Sequence, residues 1–382
     1  MTNKELADIM YPDVTKTIED YETMYPERNL GEGAIVSRYA PSPTGDVHMG
    51  SLFTSLIESF LPKKFGGVFY LRIEDTDKKR EVPGCVERQI KDLAAFGIVP
   101  MEGVMAPDKE VGEYGPYTQS HRLDIYHTYA KWMVEHDYAY PAFETPEELE
   151  IIRKNQEARK ARIGYFGGFA KYRDVSNDEK AELIKSGTPW VLRLKSRGNY
   201  NRKCVINDLV KGKVEFPEND LDQILIKENG IPVYHFAHVI DDHLMRTTHV
   251  LRGEEWFPSV PLHIELFNLF GWKAPRYAHL SVITKIDETT GNRRKLSKRY
   301  DPEARMSYYH EEGVPVIATQ KYLLTLANSN FESWLDQNPD ASIYDFNFDF
   351  KKMSASGSLF DVEKLKNISR NHIARMSANE VY

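Results

Sequence analysis

Residues 38–51 read RYAPSPTGDVHMGS, with two glycines and a single histidine directly after an apolar run. Gly45 and Gly50 lack side chains, so a bulky ligand can approach the backbone closely at these positions. A helix that begins here would offer unpaired N–H groups and a partial positive charge, which attract phosphate. His48 would add a side-chain donor. The stretch is therefore a candidate nucleotide-binding site, and a structural histidine or an ordinary helix cap is the alternative.

A second stretch that could do chemistry is NRRKLSKRYD, at residues 292–301. A basic run of this kind is usually a solvated loop. Here Gly291 lies upstream as a hinge, and Lys295 and Lys298 are three residues apart. On a mobile loop, both lysines could neutralise charge on a pyrophosphate leaving group without acting as acid or base.

The segments around residues 38–51 alternate between strand and helix patterns, as in a βαβ unit with a parallel sheet. In such a sheet, ligands bind beyond the carboxyl ends of the strands, where residues 38–51 would lie. The predicted elements are a strand at 34–40, a helix at 48–61, a strand at 68–75 and a helix at 86–96.

The pattern changes after residue 118 and returns to its first form near residue 249. The intervening chain predicts two helices, β-rich pieces and a hairpin, and the chain after residue 306 reads mainly helical. We therefore predict an α/β fold in which an insertion splits a parallel sheet and a helical domain follows. The predicted elements are helices at 119–136 and 145–162, strands in WVLRLK and CVIND, a hairpin at 223–240, a strand in HVLRGEEW, a helix at 260–270 and a strand in YAHLSVIT.

Composition narrows the class of protein. The 382 residues predict two or three domains, and 41 % hydrophobic residues is normal for a globular chain. No apolar run approaches the roughly 18 residues that span a bilayer, and the acidic, polar first residues resemble no targeting peptide. Cys85 and Cys204 are the only cysteines, which excludes a disulfide framework and a thiolate zinc cluster. We expect a cytoplasmic protein without a membrane partner.

The formal net charge of −7 argues weakly against a nucleic-acid partner, but charge is unevenly distributed. Residues 153–173 hold seven basic residues and one acidic residue, interleaved with aromatic side chains. A second basic stretch runs from Arg193 to Lys213. Such surfaces are either solvated faces or phosphate-binding surfaces, and the aromatic residues keep the second interpretation open.

Together, PSPTGDVHMGS and KLSKR resemble the two signature motifs of class I aminoacyl-tRNA synthetases, the HxGH-like and KMSKS-like motifs. Three further stretches, YLRIEDTD, QSHRLDIYHTYA and VYHFAHVIDDHLMRTTHVLRGEEW, are similar to those of bacterial-type glutamyl-tRNA synthetases. The resemblance covers residues 34–382. It implies a Rossmann-type catalytic domain, an inserted acceptor-stem-binding domain and a helical stem-contact domain. It also implies ATP with Mg²⁺, L-glutamate and tRNA(Glu) as partners, and a monomer.

On this resemblance the chain divides into five segments. They are an N-terminal extension (1–33), the first half of the catalytic domain (34–118), the inserted domain (119–232), the second half of the catalytic domain (233–290), and the KLSKR loop with the helical domain (291–382).

The resemblance also assigns site residues, each by its match to a family motif. The catalytic residues are His48, Lys295 and Lys298. The ATP-binding residues are His48, Gly50, Ser51, Glu255, Trp256 and Lys298. The glutamate-binding residues are Arg38, Ala40, Ser42, Glu74, Tyr234, His238 and Arg252, with the arginines as forks for a carboxylate. No metal ligands are expected in the protein.

The chain departs from the family pattern at several points. His238 stands where many members have Asn, and KLSKR has Leu at the usual Met position. The inserted domain has no cysteine cluster, so the structural zinc of some members is not expected. Residues 1–33 have no functional interpretation. The C-terminal anticodon-binding domain of relatives is expected to be missing, so we expect a truncated form that charges tRNA poorly.

Other functions fit part of the sequence. The nearest is a glutamyl-Q tRNA(Asp) synthetase-like short paralogue, although such proteins are usually shorter and often keep a zinc site. A glutaminyl-tRNA synthetase fits APSPTGDVH and RIEDTD less well. A non-catalytic tRNA-binding protein with a synthetase fold would have no reason to keep His48, Gly50 and both lysines. A nucleotidyltransferase would explain the nucleotide motif but neither the arginine pair nor the basic insertion.

Overall fold

A parallel sheet forms the first half of the catalytic region in the computed structural model, which describes residues 1–287 and 289–381. The sheet order is β1-β2-β3-β4, with the first three strands parallel and β4 antiparallel. All four residues of β1 are buried, as expected for a strand covered on both faces. The elements are β1 Val36–Tyr39, α3 Met49–Phe65, β2 Val68–Leu71, α4 Cys85–Ala95, β3 Glu102–Ala106 and β4 Lys109–Val111, preceded by α1 Asn3–Met10 and α2 Ile18–Met24.

The inserted region combines helices with two small antiparallel sheets, β5-β6-β9 and the hairpin β7-β8. The hairpin extends from the insertion and packs against the second half of the catalytic region. The elements are α5 Leu123–Glu135, β5 Ala139–Ala142, α6 Pro146–Ala158, α7 Asn177–Lys185, β6 Val191–Leu194, β7 Lys203–Asp208, β8 Gly212–Pro217 and β9 Ile224–Ile226.

The sheet resumes after the insertion with two parallel strands, β10 and β11. The Thr248 N–H, just before β10, donates to the Val36 carbonyl oxygen at 3.0 Å, which brings β10 alongside β1. The two halves therefore meet between β1 and β10. The elements are α8 Tyr234–Leu244, β10 His249–Gly253, α9 Val260–Leu269, β11 Arg276–Leu280, β12 Ile283–Ile286 and β13 Arg293–Lys295.

The last part of the chain is mainly helical and packs on α3 and on β12. A short strand, β14, pairs with β12 in parallel and joins this part to the catalytic region. The elements are α10 Met306–Glu311, α11 Val316–Ala327, α12 Phe331–Gln337, β14 Ser358–Leu359, α13 Val362–Ile373 and α14 Ala378–Val381.

The N-terminal extension folds into α1 and α2, each opened by a capping box from Thr2 or Thr17. Its helices pack against α5 and α7 of the insertion. Arg28 then crosses to the catalytic sheet, pairs with Glu102 through two hydrogen bonds at 2.8 and 2.9 Å, and donates to the Met245 carbonyl at 3.1 Å. The extension is therefore an integral part of the folded chain.

The predicted α/β class with a parallel sheet is confirmed, and two local predictions are wrong. The second arm of the hairpin predicted at 223–240 is helix α8, and only a single bridge joins Ile226 to Pro232. Most residues of α8, including His238, Asp241 and Asp242, are buried, so the stretch lacks the exposed polar face that usually marks a helix. Part of the predicted mobile loop, Arg293–Lys295, is strand β13. The boundaries of the five domains stay a prediction.

No helix within residues 1–287 and 289–381 combines the length and apolar character that crossing a membrane requires.

We expect Arg28→Ala to lower the free energy of unfolding by about 2 kcal/mol, because it leaves a largely buried Glu102 carboxylate without its bidentate partner. Arg28 also stacks on Tyr114, with its guanidinium 3.8 Å from the ring centroid. Urea denaturation measures the change. Arg153→Ala, at an exposed ion pair, is the matched control and should change stability by less than about 0.5 kcal/mol. Equal effects of the two variants would contradict this interpretation.

Candidate active site

One cleft of about 1140 Å³ opens at the carboxyl ends of β1 and β10, where the two halves of the sheet meet. This is the position at which parallel α/β sheets bind ligands. All the predicted site residues except His238 line it. They are Arg38, Ala40, Ser42, His48, Gly50, Ser51, Glu74, Tyr234, Arg252, Glu255, Trp256, Lys295 and Lys298.

His48 is the N-cap of α3 and supplies a donor to the cleft. Its Nδ1 accepts a hydrogen bond from the Ser51 backbone N–H at 3.0 Å, so the proton of the neutral ring lies on Nε2. Burial and the nearby charges of Lys298 and Lys295 lower the pKa of His48 below its usual 6.5. The ring is therefore a neutral donor at the positive end of a helix, which suits a phosphate oxygen.

Gly50 lies directly beside the His48 ring. A Cβ atom at residue 50 would lie 3.0 Å from Cε1 and 3.1 Å from Nδ1 of His48, tighter than most packing contacts. A larger residue would therefore push against the ring in its cap position. The glycine of the motif thus makes room for the histidine, in addition to opening the backbone to a ligand.

The KLSKR loop is folded against the start of α3. Asp301 accepts hydrogen bonds from both Nη atoms of Arg294, at 2.6 and 2.8 Å, and from the Ser297 N–H at 2.9 Å. This clamp fixes the turn, and Lys298 reaches back so that its Nζ donates to the Asp46 carbonyl at 2.6 Å. The arrangement brings the Lys298 ammonium to the same end of the cleft as His48.

Glu255 and Trp256 line the cleft just after β10. The Glu255 carboxylate folds back over Gly253, where a Cβ atom would lie 2.2 Å from one of its oxygens. The Trp256 ring packs over Tyr234 with ring centroids 4.3 Å apart. The tryptophan is 36 % exposed, which leaves one of its faces open to the cleft.

Beneath the other end of the cleft lies a buried network of charged side chains. Arg72, directly after β2, donates to Asp242 of α8 at 2.6 Å and to Glu74 at 2.9 Å. Arg38 lies 3.3 Å from Asp242 through Nε and 3.6 Å from Glu58. The network joins β1, α3 and α8, and it fixes the directions of Arg38 and Glu74.

The ionisation states within this network differ. Burial disfavours the charged form of Asp242, but Arg38 and Arg72 overcome it and hold the pKa of Asp242 well below its usual range. Burial raises the pKa of Glu58 well above its usual value, against the pull of Arg38. Burial also raises the pKa of Glu74 despite its contact with Arg72. A cationic group that entered beside Glu74 would find a carboxyl group poised to ionise.

Arg252 is held differently from Arg72, because its partners are neutral. Its Nη1 donates to the Tyr234 hydroxyl at 3.0 Å and its Nε to His279 Nε2 at 3.0 Å. His263 Nδ1 lies 3.2 Å from its Nη2, and burial holds the pKa of His263 well below the usual range. Across residues 1–287 and 289–381, no carboxylate pairs with this guanidinium, although Arg252 is only 5 % exposed. Its charge is therefore available to an anionic ligand.

His238 does not line the cleft. The ring is fully buried behind Tyr234, to which it is stacked, and its Nδ1 lies 2.8 Å from Asp242. Burial lowers the pKa of His238 to about 3, so the ring is neutral. The structure places it between Tyr234 and Asp242, where it supports both side chains. A direct contact with a ligand stays a prediction.

Sequence reasoning missed several residues that shape the site, although two of them left a signal. Asp241 and Asp242 are adjacent acids in an otherwise apolar stretch, and such acids need buried cationic partners. Arg72 pairs with its near neighbour Glu74, as the stretch YLRIEDTD allows, as well as with the distant Asp242. Glu58, His263, His279 and Asp208 gave no signal, because each acts through a partner outside its own segment. No group of three or more His, Cys, Asp or Glu residues within 1–287 and 289–381 is arranged to hold a metal ion.

Comparison with known proteins agrees with this geometry. The family described as tRNA synthetases class I (E and Q), catalytic domain, matches residues 34–367. The chain belongs to this family.

Individual relatives within the class I synthetases narrow the match. Glutamate–tRNA ligases of Clostridium beijerinckii and Clostridium perfringens are each 49 % identical over 382 residues, which is 100 % of this chain and 69 % and 70 % of theirs. A solved glutamate tRNA ligase from Elizabethkingia meningosepticum, in complex with its amino acid, is 35 % identical with a TM-score of 0.76. That alignment covers 91 % of this chain and 71 % of the other.

The synthetase family match begins at residue 34, so the extension lies outside it. The clostridial ligases nevertheless align with the whole of this chain, so the extension is shared with these relatives.

We expect His48 of this synthetase to titrate below pH 6.5 in an imidazole NMR titration, because burial and two lysines disfavour the imidazolium. Lys298→Ala removes one of these charges and should raise the midpoint. Arg293→Ala makes the same charge change on an exposed strand residue outside the cleft, and it should leave the midpoint unchanged. A midpoint at or above 6.5 in the unaltered protein would contradict a neutral donor.

Proposed function

We propose that this chain activates L-glutamate with ATP to form glutamyl-adenylate and pyrophosphate, and then transfers the glutamyl group to the 3′ end of tRNA(Glu). The observation that carries the proposal is the composition of one cleft. It joins a phosphate-binding end, formed by His48 and Lys298, to a buried Arg252 whose partners among the described residues are all neutral. Membership of the class I synthetases supports the same reaction.

At the nucleotide end, the chemistry needs positioning and charge stabilisation. A glutamate carboxylate oxygen attacks the α-phosphorus of ATP, the bond from the α-phosphorus to the bridging oxygen breaks, and pyrophosphate leaves. The carboxylate is already anionic, so no general base is required. His48 would donate from Nε2 to a phosphate oxygen, and Lys298 with Lys295 would neutralise the charge that develops on pyrophosphate. Gly50 and Ser51 would admit the nucleotide to the start of α3.

Magnesium would enter with the nucleotide. The described residues offer no cluster of three His, Cys, Asp or Glu ligands, and Mg²⁺ at nucleotide sites is commonly held by substrate phosphates and water. The phosphates of the nucleotide and water would therefore hold the ion, and no protein ligand is assigned to it. Glu255 and Trp256, which also line the cleft, would border the nucleotide.

At the amino-acid end, arginine would select the side chain of glutamate. Arg252 offers a bidentate fork whose charge no carboxylate within residues 1–287 and 289–381 neutralises, so the γ-carboxylate of glutamate would be its anionic partner. Neutral glutamine would leave that buried charge uncompensated. Arg38 and Tyr234 would complete this end, and the Glu74 carboxylate would accept the α-ammonium group. Ala40 and Ser42 would border the backbone of the amino acid.

In the second step, a ribose hydroxyl of the tRNA 3′ end attacks the glutamyl carbonyl carbon and AMP leaves. The basic, aromatic stretch at 153–173 supports tRNA binding by the insertion. Arg162 lies in this stretch: its guanidinium is 4.2 Å from the ring centroids of both Phe166 and Tyr200, and it also pairs with Asp220. A monomeric state and a cytoplasmic location stay predictions from the sequence.

The reaction is tested by ATP–pyrophosphate exchange with glutamate or glutamine, with and without tRNA(Glu) or tRNA(Asp). We expect exchange with glutamate and none above background with glutamine, because Arg252 requires an anionic side chain. Exchange driven by glutamine would contradict the assignment of Arg252. Glutamyl transfer to tRNA(Asp) instead of tRNA(Glu) would favour the glutamyl-Q alternative.

We expect Lys298→Ala to lower the rate of adenylate formation about 100-fold or more while the dissociation constant for glutamate changes less than threefold. The lysine would act on charge that develops during the reaction, far from the amino-acid side chain. Single-turnover kinetics and equilibrium binding measure the two quantities. Arg293→Ala, in the same loop and outside the cleft, is the matched control. Equal losses of rate and affinity would remove Lys298 from this role.

A further inference from the structure

A buried pair of residues connects the inserted hairpin to Arg252. Asp208, the last residue of β7, accepts a hydrogen bond from Nδ1 of His279 at 2.7 Å and one from the His279 backbone N–H at 3.1 Å. On the other side of the ring, His279 Nε2 accepts from Nε of Arg252 at 3.0 Å. Asp208 is 4 % exposed and His279 is fully buried. An acid from the insertion thus reaches the substrate-facing arginine through one imidazole.

The direction of both hydrogen bonds follows from elementary chemistry. Arginine is always a donor, so His279 Nε2 must be unprotonated where it meets Arg252. A neutral imidazole carries its single proton on the other nitrogen, Nδ1, which requires an acceptor there. The Asp208 carboxylate is that acceptor. Burial lowers the pKa of His279, so the doubly protonated ring, which would oppose Arg252, is disfavoured.

The hairpin is anchored so that Asp208 cannot move away from this contact. The neighbouring Leu209 N–H donates to the Tyr277 carbonyl at 2.9 Å, two residues before His279. Lys211, in the turn of the hairpin, donates to Glu254 at 2.5 Å and to the Ser281 hydroxyl at 2.6 Å. These contacts join the turn to the end of β10, the strand that holds Arg252, and to the end of the neighbouring strand β11. The carboxylate is therefore held rigidly relative to β10 and β11.

We propose that Asp208 is a specificity-determining positioning residue: it holds His279 in the tautomer that accepts from Arg252, and thereby aims an un-neutralised guanidinium at the substrate carboxylate. This deepens the proposed function and rests on it. A carboxylate placed directly on Arg252 would hold the arginine equally well but would cancel its charge. Because the neutral imidazole lies between them, Asp208 fixes the position of Arg252 without contacting its guanidinium. The positive charge of Arg252 therefore remains available to distinguish glutamate from neutral glutamine.

Replacing the acid by its amide separates this role from simple packing. Asp208→Asn keeps the shape and one acceptor oxygen for the 209–211 turn, but its amide nitrogen faces His279 Nδ1. The ring then adopts the opposite tautomer, with Nε2–H directed at the Arg252 Nε–H. Selective ¹⁵N-histidine NMR distinguishes the tautomers by the nitrogen shifts, independently of substrate. We expect an Nδ1–H ring in the unaltered protein and an Nε2–H ring in the variant.

The kinetic consequence should fall on amino-acid binding. In ATP–pyrophosphate exchange, we expect Asp208→Asn to raise the KM for glutamate about tenfold or more, with kcat changed less than threefold. The ratio of kcat/KM for glutamate to kcat/KM for glutamine should fall. Asp222→Asn is the matched control. Asp222 is also a fully buried acid of the insertion, but it contacts Tyr140, Arg173 and Ser196 instead of the cleft. Its replacement should cost stability without raising the KM for glutamate selectively.

A double-variant cycle tests the tautomer directly. In His279→Gln the side-chain carbonyl can accept from Arg252 and no tautomer exists, so adding Asp208→Asn to it should leave the KM unchanged. If Asp208→Asn raises the KM for glutamate as much in the His279→Gln background as in the unaltered protein, the role of Asp208 is structural and the proposal is overturned. An Nε2–H ring in the unaltered protein would also overturn it. The NMR measurement needs no substrate. An unexpected tautomer together with glutamate-dependent exchange would overturn only the role of Asp208, whereas the expected tautomer without such exchange would overturn the proposed function.

Discussion

The site depends on the need to pair charges that the fold removes from water. Arg72 is completely buried, and its 2.6 Å contact with Asp242 joins a strand of the first half of the sheet to α8 of the second. An unpaired charge at this depth would cost several kcal/mol, so the two halves are held in one relative position. Because this contact fixes α8, it also fixes the position of Tyr234 at the start of that helix. Ion pairs therefore hold the two walls of the cleft in a constant relative position.

The two arginines that line the cleft, Arg38 and Arg252, illustrate opposite solutions to the same problem. Arg38 is buried against ionised Asp242 and a Glu58 whose pKa is raised, so its charge is largely balanced within the protein. Arg252 is surrounded by neutral groups that satisfy its N–H donors but leave its charge uncompensated. A hydrogen-bonded but unneutralised cation is destabilising in an empty site and favourable once an anion arrives. The uncompensated charge of Arg252 thus favours an anionic ligand over a neutral one of the same shape.

The parts of this arrangement that the sequence predicted are those carried by contiguous residues. His48, Gly50 and Ser51 lie within one turn of α3, and Lys295 and Lys298 within one loop, so spacing alone indicated their common chemistry. The parallel sheet was predictable because buried strands alternate with helices along the chain. The ion network was not, because Arg72 and Asp242 are separated by 170 residues: the Asp242 carboxylate indicated that a buried cation was needed but not which one. The hairpin predicted at 223–240 was wrong because most residues of α8, polar ones included, are buried, so the stretch lacks the exposed polar face by which a sequence usually reveals a helix.

The packing of the N-terminal extension has a consequence for biosynthesis. Arg28 contacts Met245 across 217 residues, and Glu22 contacts Arg246 across 224. A ribosome produces α1 and α2 before α5 and α8, so the surfaces that cover Tyr21 and Tyr25 emerge later than the helices themselves. Until then, these amphipathic helices have no native partner, and contacts of such high sequence separation form slowly. The extension is thus translated before the segments that it packs against and is among the last to reach its native packing.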